Sequence, residues 1–322
     1  MTRDDFDDSI LSLSIARACE AASFAASAWV GRGDEDNATK TAVEAMQQAL
    51  DKMPFAGRIV VGEGEEGDAP ALYAGQPLGL GSGPAVDIAA EPLEGTTLAA
   101  KDLPNALSVI ALSASGAMKH MPDLYMDKLA IGPGFSPDLV TLDMPPAARI
   151  KALAEARNIA LGEITVSLLD RPRHSEMLGE IRATGARIRL ISDGDVAGII
   201  HAALPGESGI DLFMGIGGAR EGVLAAAALK CLGGQMQGRL VIRSKDDALT
   251  ARLAGIDNPD QIFDADDLIR GPVVFAATGL TDGPLLKGVR RDNGTLTAET
   301  LIMRSRNGTM RRMSCKILAP QR

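Results

Sequence analysis

Apolar residues recur at helical spacing through the first fifty residues of the chain. From residue 9 to residue 30 they lie three and four positions apart, and the pattern ends at Gly31-Arg32-Gly33, a helix stop signal. A second helix is predicted after Asn37. Its apolar side is formed by Val43, Met46, Leu50 and Met53. Short apolar runs then predict buried strands at 58–61, 86–90 and 107–113.

Strands and helices alternate from about residue 146 onward. The pattern predicts helices at 146–157, 175–184 and 221–232, with strands at 164–169, 188–191 and 211–214. Because helices of this length between strands are typical of βαβ units, we expect a mainly parallel sheet here. The last fifty residues return to extended segments at 273–277, 296–303 and 309–317. The chain is therefore predicted to be an α/β protein, with an α+β domain at 1–145 and an α/β domain at 146–322.

Composition narrows the function classes. The 322 residues agree with two domains of about 150 residues each. The 33 Lys and Arg against 42 Asp and Glu give a net charge of −9, which argues against a nucleic-acid-binding surface. Three distant cysteines fit a reducing compartment. An acidic N-terminus and the lack of a long apolar run argue against a secretory signal and a membrane span, so we expect a soluble, cytoplasmic protein.

Two acidic loops follow predicted strands. The first, Gly62 to Pro70, holds four carboxylates in six residues, namely Glu63, Glu65, Glu66 and Asp68. The second runs from Asp87 to Thr97 and adds Glu91 and Glu94. Oxygen ligands without nearby His or Cys suit Mg²⁺ or Mn²⁺ rather than zinc. Because Gly and Thr at a helix start offer hydrogen-bond donors to an anion, the run Glu94-Gly95-Thr96-Thr97 beside such a metal predicts a phosphate-hydrolysis centre.

The acidic loops also have two other interpretations. A single acidic loop is usually just solvated, as we predict for the cluster Asp264, Asp266 and Asp267. Gly62-x-Gly64-x-x-Gly67 also fits a dinucleotide-binding fingerprint, which would indicate an NAD enzyme. However, the glutamates within that loop would repel a pyrophosphate, and the residues after it leave little room for the helix the motif requires.

Basic and glycine-rich motifs lie at the strand–helix junctions of the second half. Arg171 and Arg173 flank a proline just before His174, and arginine forks bind phosphate oxygens, so this is a candidate second phosphate site. The alternative is a basic, solvated turn. Asp193-Gly194-Asp195 and the run from Gly215 to Gly222 join strands to helices, where doubly wound sheets bind ligands. We predict structural or surface roles for the remaining histidines, His120 and His201.

The motifs taken in order resemble those of the class II fructose-1,6-bisphosphatases, a branch of the lithium-sensitive sugar-phosphate and inositol-phosphate phosphatase superfamily. The resemblance covers nearly the whole chain. It rests on residues 31–34, 61–65, 92–97, 104–110, 122–126, 171–174, 193–195, 215–218 and 277–279.

The resemblance implies a layered α-β-α-β-α sandwich. It also implies hydrolysis of the 1-phosphate of fructose 1,6-bisphosphate, and in some photosynthetic organisms of sedoheptulose 1,7-bisphosphate, with Mg²⁺ or Mn²⁺. The first domain would then carry the metal and phosphate site, and the second would bind the sugar phosphate. The implied partners are a sugar bisphosphate and further copies of the chain in a homodimer or homotetramer, in gluconeogenesis or Calvin-type carbon metabolism.

The family's site residues transfer to matching positions of this sequence. The implied metal ligands are Glu63, Glu91, Glu94 and Glu221. The implied sugar-phosphate contacts are Gly95, Thr96, Thr97, Tyr125, Arg171, Arg173, Asp193, Gly194 and Asp195. Catalytic roles are assigned to Thr96, Asp68 and Glu65.

Four positions depart from the family's pattern. Glu91 stands where the family usually has the shorter acid Asp. Thr39 and Gly67 stand where the family usually has an acid, and Arg220 replaces a proline beside Glu221. Neither threonine nor glycine can supply a carboxylate. Two hypotheses follow: either Asp36, Asp68 and Glu91 rebuild a working site from adjacent positions, or the chain is a catalytically impaired paralogue that binds sugar phosphates in a regulatory role.

Overall fold

The computed structural model describes residues 8–318, which form two compact units. One unit comprises the residues up to Lys119 together with those from Ile269 onward. The other comprises His120–Leu268.

The helices and strands of the described residues are numbered in chain order. The helices are α1 (Asp8–Ala26), α2 (Glu35–Leu50), α3 (Thr96–Ala100), α4 (Pro146–Arg157), α5 (Ser175–Ala183), α6 (Asp195–Ala203), α7 (Pro205–Ser208), α8 (Ala219–Leu232), α9 (Lys245–Leu253) and α10 (Ala265–Leu268). The strands are β1 (Ala56–Val61), β2 (Pro77–Leu78), β3 (Ala85–Glu94), β4 (Leu107–Ala114), β5 (Tyr125–Ile131), β6 (Thr165–Leu169), β7 (Arg187–Ile191), β8 (Leu212–Gly218), β9 (Gln235–Leu240), β10 (Ile262–Asp264), β11 (Val273–Gly279), β12 (Arg290–Asp292), β13 (Thr295–Arg304) and β14 (Thr309–Leu318).

The first unit contains a sheet of eight strands in the order β12-β13-β11-β4-β3-β1-β2, with β14 paired to β13. Only β1 and β3 run parallel; the other pairs among the described strands are antiparallel. Helices α1 and α2 pack together and contribute to one continuous core with these strands. Since aromatic residues are only 3% of the chain, that core is mostly aliphatic. It holds the ends of β1 and β3 side by side.

The second unit contains a six-stranded sheet in the order β10-β9-β5-β8-β6-β7. The expectation of a mainly parallel sheet is wrong. Only β6 is parallel to its neighbours β7 and β8, whereas β5 is antiparallel to both β8 and β9, and β9 to β10. The reason is that β5 comes before the first βαβ unit in the chain but lies in the sheet between β9 and β8, which both come after that unit. The α/β class itself is confirmed, since both units combine a mixed sheet with helices.

The units differ from the consecutive domains predicted at 1–145 and 146–322. Strand β11 pairs with β4 from Val273↔Ser113 to Gly279↔Leu107, so the last fifty residues complete the first sheet. Strand β5, which lies before residue 146, pairs instead within the second sheet. Apolar periodicity shows that a segment is extended, but it carries no information about which sheet the segment joins.

Most predicted elements are present, with shifted ends. Helix α1 ends at Ala26 and continues as a 3-10 turn, and the predicted helix at 146–157 matches α4. Helix α2 begins at Glu35 rather than after Asn37, because the Asp34 carboxylate caps it by accepting from the Asn37 backbone N–H at 3.0 Å. The acidic cluster at 264–267 ends β10 and forms α10 rather than a loop, and its Asp266 is ion-paired with Lys230. No helix among the described residues is long and apolar enough to cross a membrane.

Candidate active site

The loop after β1 is folded back on itself and presents Glu63 at the end of the strand. Strands β1 and β3 are parallel, and Val61 of β1 lies opposite Ala89 of β3. Glu63 comes two residues after Val61, and Glu91 comes two residues after Ala89. The Glu63 backbone N–H donates to the Leu72 carbonyl at 3.0 Å. A side chain at Gly62 would place its Cβ only 1.9 Å from the same carbonyl, so the close return of the chain requires glycine there.

The chain after this loop does not form the helix that a dinucleotide site needs. Turns and bends follow β1 as far as the short strand β2. Within them, the Asp68 backbone N–H donates to the Glu65 carbonyl at 3.1 Å, and Gly67 has a φ of +97°. The glycine fingerprint therefore lacks its structural context, and the NAD interpretation fails.

A cavity of about 680 Å³ lies beside this loop in the first unit. It brings together three of the predicted site residues, Glu63, Asp68 and Thr96. Helix α2 supplies much of the remaining wall, and the loop supplies the rest: Glu35, Asp36, Thr39, Lys40, Val43, Glu44, Gln47, Ala69, Pro70 and Ala71. The cavity is therefore strongly acidic, with one lysine among its carboxylates.

Backbone hydrogen bonds hold the turn that precedes α2 against the end of α3. The Gly31 and Gly33 N–H groups donate at 2.9 Å to the carbonyls of Ala99 and Ala100, which end α3. Helix α3 has only five residues and starts after Gly95, whose φ of +83° favours glycine. A helix so short contributes little dipole, so an anion at Thr96 would rely on the hydroxyl and local N–H groups.

The other predicted residues of the first unit are not part of the cavity wall. Glu91 and Glu94 are opposite Val109 and Leu107, and the register shifts between them. Such a bulge re-aims side chains at a strand end. The Glu94 side chain is buried, whereas Glu65 is exposed. Thr97 is partly buried in α3.

The carboxylates of this unit fit a hard divalent cation in donor type. Glu63, Glu91 and Glu94 offer only oxygen, at adjacent ends of β1 and β3. Within residues 8–318 no three His, Cys, Asp or Glu side chains lie close enough together to enclose a metal ion. Mg²⁺ usually binds to one or two carboxylates, keeps several waters and takes further oxygens from substrate phosphate. These residues therefore suit a site that substrate completes.

In the second unit, two arginines contact the ring of Tyr125. The guanidinium carbon of Arg173 lies 4.9 Å from the ring centre and that of Arg243 lies 4.7 Å from it. Tyr125 is 42% exposed, so this cluster is open to ligands. Two guanidinium groups and a phenol on one surface suit a phosphate group.

Arg173 and His174 are fixed by one backbone segment of β8. Arg173 donates from Nε and Nη2 to the Ile216 carbonyl at 3.0 and 2.7 Å. The Ile216 N–H donates to His174 Nε2 at 2.8 Å, so Nδ1 carries the proton and donates to the Leu169 carbonyl at 2.7 Å. Burial lowers the pKa of His174, which favours this neutral form. Both ring nitrogens are engaged in backbone hydrogen bonds, so His174 anchors the segment that carries Arg173 to β8.

Two of the remaining predicted carboxylates of this unit, Asp193 and Asp195, are ion-paired. Arg171 lies 3.7 Å from the Asp193 carboxylate, next to Gly194, the αL residue that precedes α6. Asp195 is buried and ion-paired with Lys128. The pKa of Glu221 is raised, first by burial and then by the charge of Asp195, while Lys128 opposes the shift. Arg220 is ion-paired with Asp123 at 2.5 Å.

Three functional candidates escaped the sequence analysis: Lys40, Lys128 and Arg243. Lys40 and Arg243 lie outside the motifs that were singled out. Lys128 follows Tyr125 within β5, and the adjacent charged residues Asp127 and Lys128 in a short strand were the signal that could have identified it.

The chain is similar to one known family and to named relatives. The sequence profile of a family described as "Bacterial fructose-1,6-bisphosphatase, glpX-encoded" matches residues 9–316. A D-fructose 1,6-bisphosphatase class 2/sedoheptulose 1,7-bisphosphatase of Synechococcus sp. (strain JA-2-3B'a(2-13)) is 39% identical, over 94% of each chain. A protein of the same description from Synechocystis sp. (strain ATCC 27184 / PCC 6803 / Kazusa) is 40% identical, over 94% of this chain and 95% of its own. The chain belongs to the bacterial fructose-1,6-bisphosphatase family.

Proposed function

We propose that this protein hydrolyses the 1-phosphate of fructose 1,6-bisphosphate, and that sedoheptulose 1,7-bisphosphate is a second substrate. The observation that carries the proposal is the acidic cavity where Glu63, Asp68 and Thr96 meet. The names of its relatives support the choice of substrates.

The reacting phosphate binds beside Thr96, whose hydroxyl and neighbouring N–H groups orient it together with Gly95 and Thr97. Asp68, on the exposed loop, takes the proton from the attacking water, with Glu65 as its neighbour in that loop. Proton removal by a positioned carboxylate contributes about 10²–10⁴ in rate.

Mg²⁺ or Mn²⁺ is the proposed metal, held by Glu63, Glu91, Glu94 and Glu221. When bound, the cation lowers the pKa of a coordinated water and neutralises charge on the phosphoryl oxygens. The carboxylates contribute by fixing where that positive charge sits.

The distal phosphate binds to the second unit, on Tyr125, Arg173 and Arg243, with Arg171 beside them. The turn Asp193-Gly194-Asp195 contacts the sugar hydroxyls.

We further propose that the protein works in the cytoplasm and that it assembles as a homodimer or homotetramer. Light scattering of the purified chain would test the assembly.

The experiment that tests the proposed reaction is ³¹P NMR of fructose 1,6-bisphosphate incubated with the protein and Mn²⁺ or Mg²⁺. The proposal expects inorganic phosphate and fructose 6-phosphate in equal amounts. Accumulation of fructose 1-phosphate would mean that the substrate binds in the opposite direction. No phosphate release with either metal would contradict the proposal.

A second function, sugar-phosphate binding without turnover, is favoured by one observation. Thr39, a neutral side chain, lies on the cavity wall where an acid is expected, beside the cation Lys40. Calorimetry with fructose 6-phosphate in EDTA distinguishes the two functions, since binding without metal and without turnover supports this alternative.

A further inference from the structure

Lys128 is a fully buried lysine at the centre of the second sheet. It lies on β5 opposite Gly215 of β8 and Gly238 of β9, and its side chain is 0% exposed. Burying an ammonium group is costly unless it is paired and hydrogen-bonded. The position of its partners therefore shows why this lysine is tolerated.

The ammonium of Lys128 joins the starts of two helices. It is ion-paired with Asp195, the first residue of α6. It also donates to the carbonyl of Gly218 at 2.7 Å, and Gly218 is the residue that precedes α8. One side chain thus connects the turn that carries Asp193 to the helix that carries Glu221.

Two glycines let the carboxylates come this close. A Cβ on Gly217 would lie 1.9 Å from Asp195 Oδ2 and 3.0 Å from Lys128 Nζ. A Cβ on Gly218 would lie 1.9 Å from Glu221 Oε2. Asp195 and Glu221 are therefore packed against successive glycine α-carbons at the end of β8, with the ammonium beside them.

We propose that Lys128 is a positioning residue that holds the metal ligand Glu221 and the substrate turn at Asp195 in a fixed relation. The proposal rests on the function proposed above for these two carboxylates. The ammonium fixes the Asp195 carboxylate directly, and it fixes Glu221 through the Gly218 carbonyl at the start of its helix. Neither effect requires Lys128 to touch substrate or metal.

The variant Lys128→Met tests this, because methionine keeps most of the length of the side chain and removes its charge. Lys230→Met is the matched control, since Lys230 is also paired with an aspartate but lies at the other end of α8. Lys128→Met/Asp195→Asn is a second variant that removes both charges of the buried ion pair, so it should fold even where the single variant does not. Only its Mn²⁺ binding is used, because Asp195 is itself a proposed substrate contact. Mn²⁺ binding is measured by electron paramagnetic resonance of free Mn²⁺ without substrate, and the steady-state constants are measured separately.

The proposal expects Mn²⁺ to bind at least ten-fold more weakly to both Lys128 variants, with KM raised as well as kcat lowered in Lys128→Met, and unchanged binding for Lys230→Met. Wild-type Mn²⁺ affinity in both Lys128 variants and a wild-type KM in Lys128→Met, with only a lower Tm, would overturn it in favour of a purely structural lysine. Undetectable Mn²⁺ binding by the wild-type protein would overturn it as well. The Mn²⁺ measurement needs no turnover, so a wild-type protein that binds Mn²⁺ but releases no phosphate would contradict the proposed reaction and leave the role of Lys128 to be decided by the variants.

Discussion

The guanidinium carbon of Arg243 lies 4.7 Å from the ring centre of Tyr125, which Arg173 also contacts. Arg173 is tied to the Ile216 carbonyl by two hydrogen bonds, whereas Arg243 follows β9 and is exposed. In the proposed phosphate site, Arg173 is therefore held in place, whereas Arg243 can change its orientation toward the phosphate. The two arginines have different roles in the same cluster.

We expect Arg243→Gln to raise the KM for fructose 1,6-bisphosphate about ten-fold, with kcat nearly unchanged. A charge-assisted hydrogen bond is worth roughly 1.5 kcal/mol or more, and 1.4 kcal/mol is ten-fold in binding. The distal phosphate does not react, so losing the Arg243 contact weakens the binding of the ground state and of the transition state equally. Steady-state kinetics checks this, with Arg252→Gln on α9 as the control. Equal KM values for the two variants would remove Arg243 from the site.

Asp68→Asn should lower kcat about 100-fold, because it removes the proposed base, whose contribution is roughly 10²–10⁴. Glu66→Gln is the matched control, since Glu66 is an exposed carboxylate of the same loop that is not on the cavity wall. Phosphate release at saturating substrate measures both. A large fall in kcat for Glu66→Gln and none for Asp68→Asn would contradict the proposal, because the base would then be Glu66 and not Asp68.

Thr39→Asp should lower the half-saturating Mn²⁺ concentration about ten-fold, which corresponds to roughly 1.4 kcal/mol of added attraction. The reason is that Thr39 lies on the cavity wall. Thr41→Asp adds the same charge two residues along α2, off that wall, and should have little effect. Similar values for both variants would mean that the added charge acts only at long range.

Gly67→Asp should not restore activity, although the resemblance to the family points to an acid there. Gly67 has a φ of +97°, where a side chain is strained, and its neighbour Asp68 is already on the cavity wall. We expect this variant to be destabilised by about 1 kcal/mol without a gain in kcat. Urea denaturation and steady-state kinetics measure the two effects. A rise in kcat at Gly67→Asp would show that the loop rearranges.

His201 gives a pH dependence of stability that is independent of the active site. Burial lowers its pKa from 6.5 to about 4. Between pH 6.5 and pH 4, His201 is therefore protonated in the unfolded chain and neutral in the folded chain. Stability is therefore complete above pH 6.5 and is lost as the pH falls toward 4, by about 2 kcal/mol between pH 8 and pH 5.

The variant His201→Leu should remove this part of the pH dependence, since leucine does not titrate and the buried Nε2 has no hydrogen-bond partner to lose. Urea denaturation of both proteins at pH 8 and pH 5 checks it, with His120→Gln as the control. An identical loss of stability in His201→Leu would mean that other groups cause the acid sensitivity.

Local patterns in the sequence were enough to predict the α/β class and most helices. Helix α4 matched because apolar spacing, a leading proline and Asn158 at its end all agree. The arrangement of the sheets could not be predicted in the same way. The pairing of β11 with β4 joins residues far apart in the chain, and no short-range signal specifies it.

The candidate site was predictable where motifs follow strands, as at Glu63, Asp68 and Thr96. It was not predictable where function depends on three-dimensional neighbours. Arg243 is a candidate for phosphate binding only because β9 ends beside Tyr125. The proposed role of Lys128 depends on two glycines and two carboxylates from other elements. The metal ligands and catalytic roles remain predictions.

The central claim is that the acidic cavity hydrolyses a sugar bisphosphate. Its most direct measurement is phosphate release from fructose 1,6-bisphosphate by wild-type protein and by Glu63→Gln, across a range of Mn²⁺ and Mg²⁺ concentrations. We predict metal-dependent turnover by the wild type and a loss of at least about 100-fold in Glu63→Gln, whose amide cannot replace the charge of a carboxylate ligand. Equal rates for the two proteins, or no release by the wild type at any metal concentration, would contradict the claim.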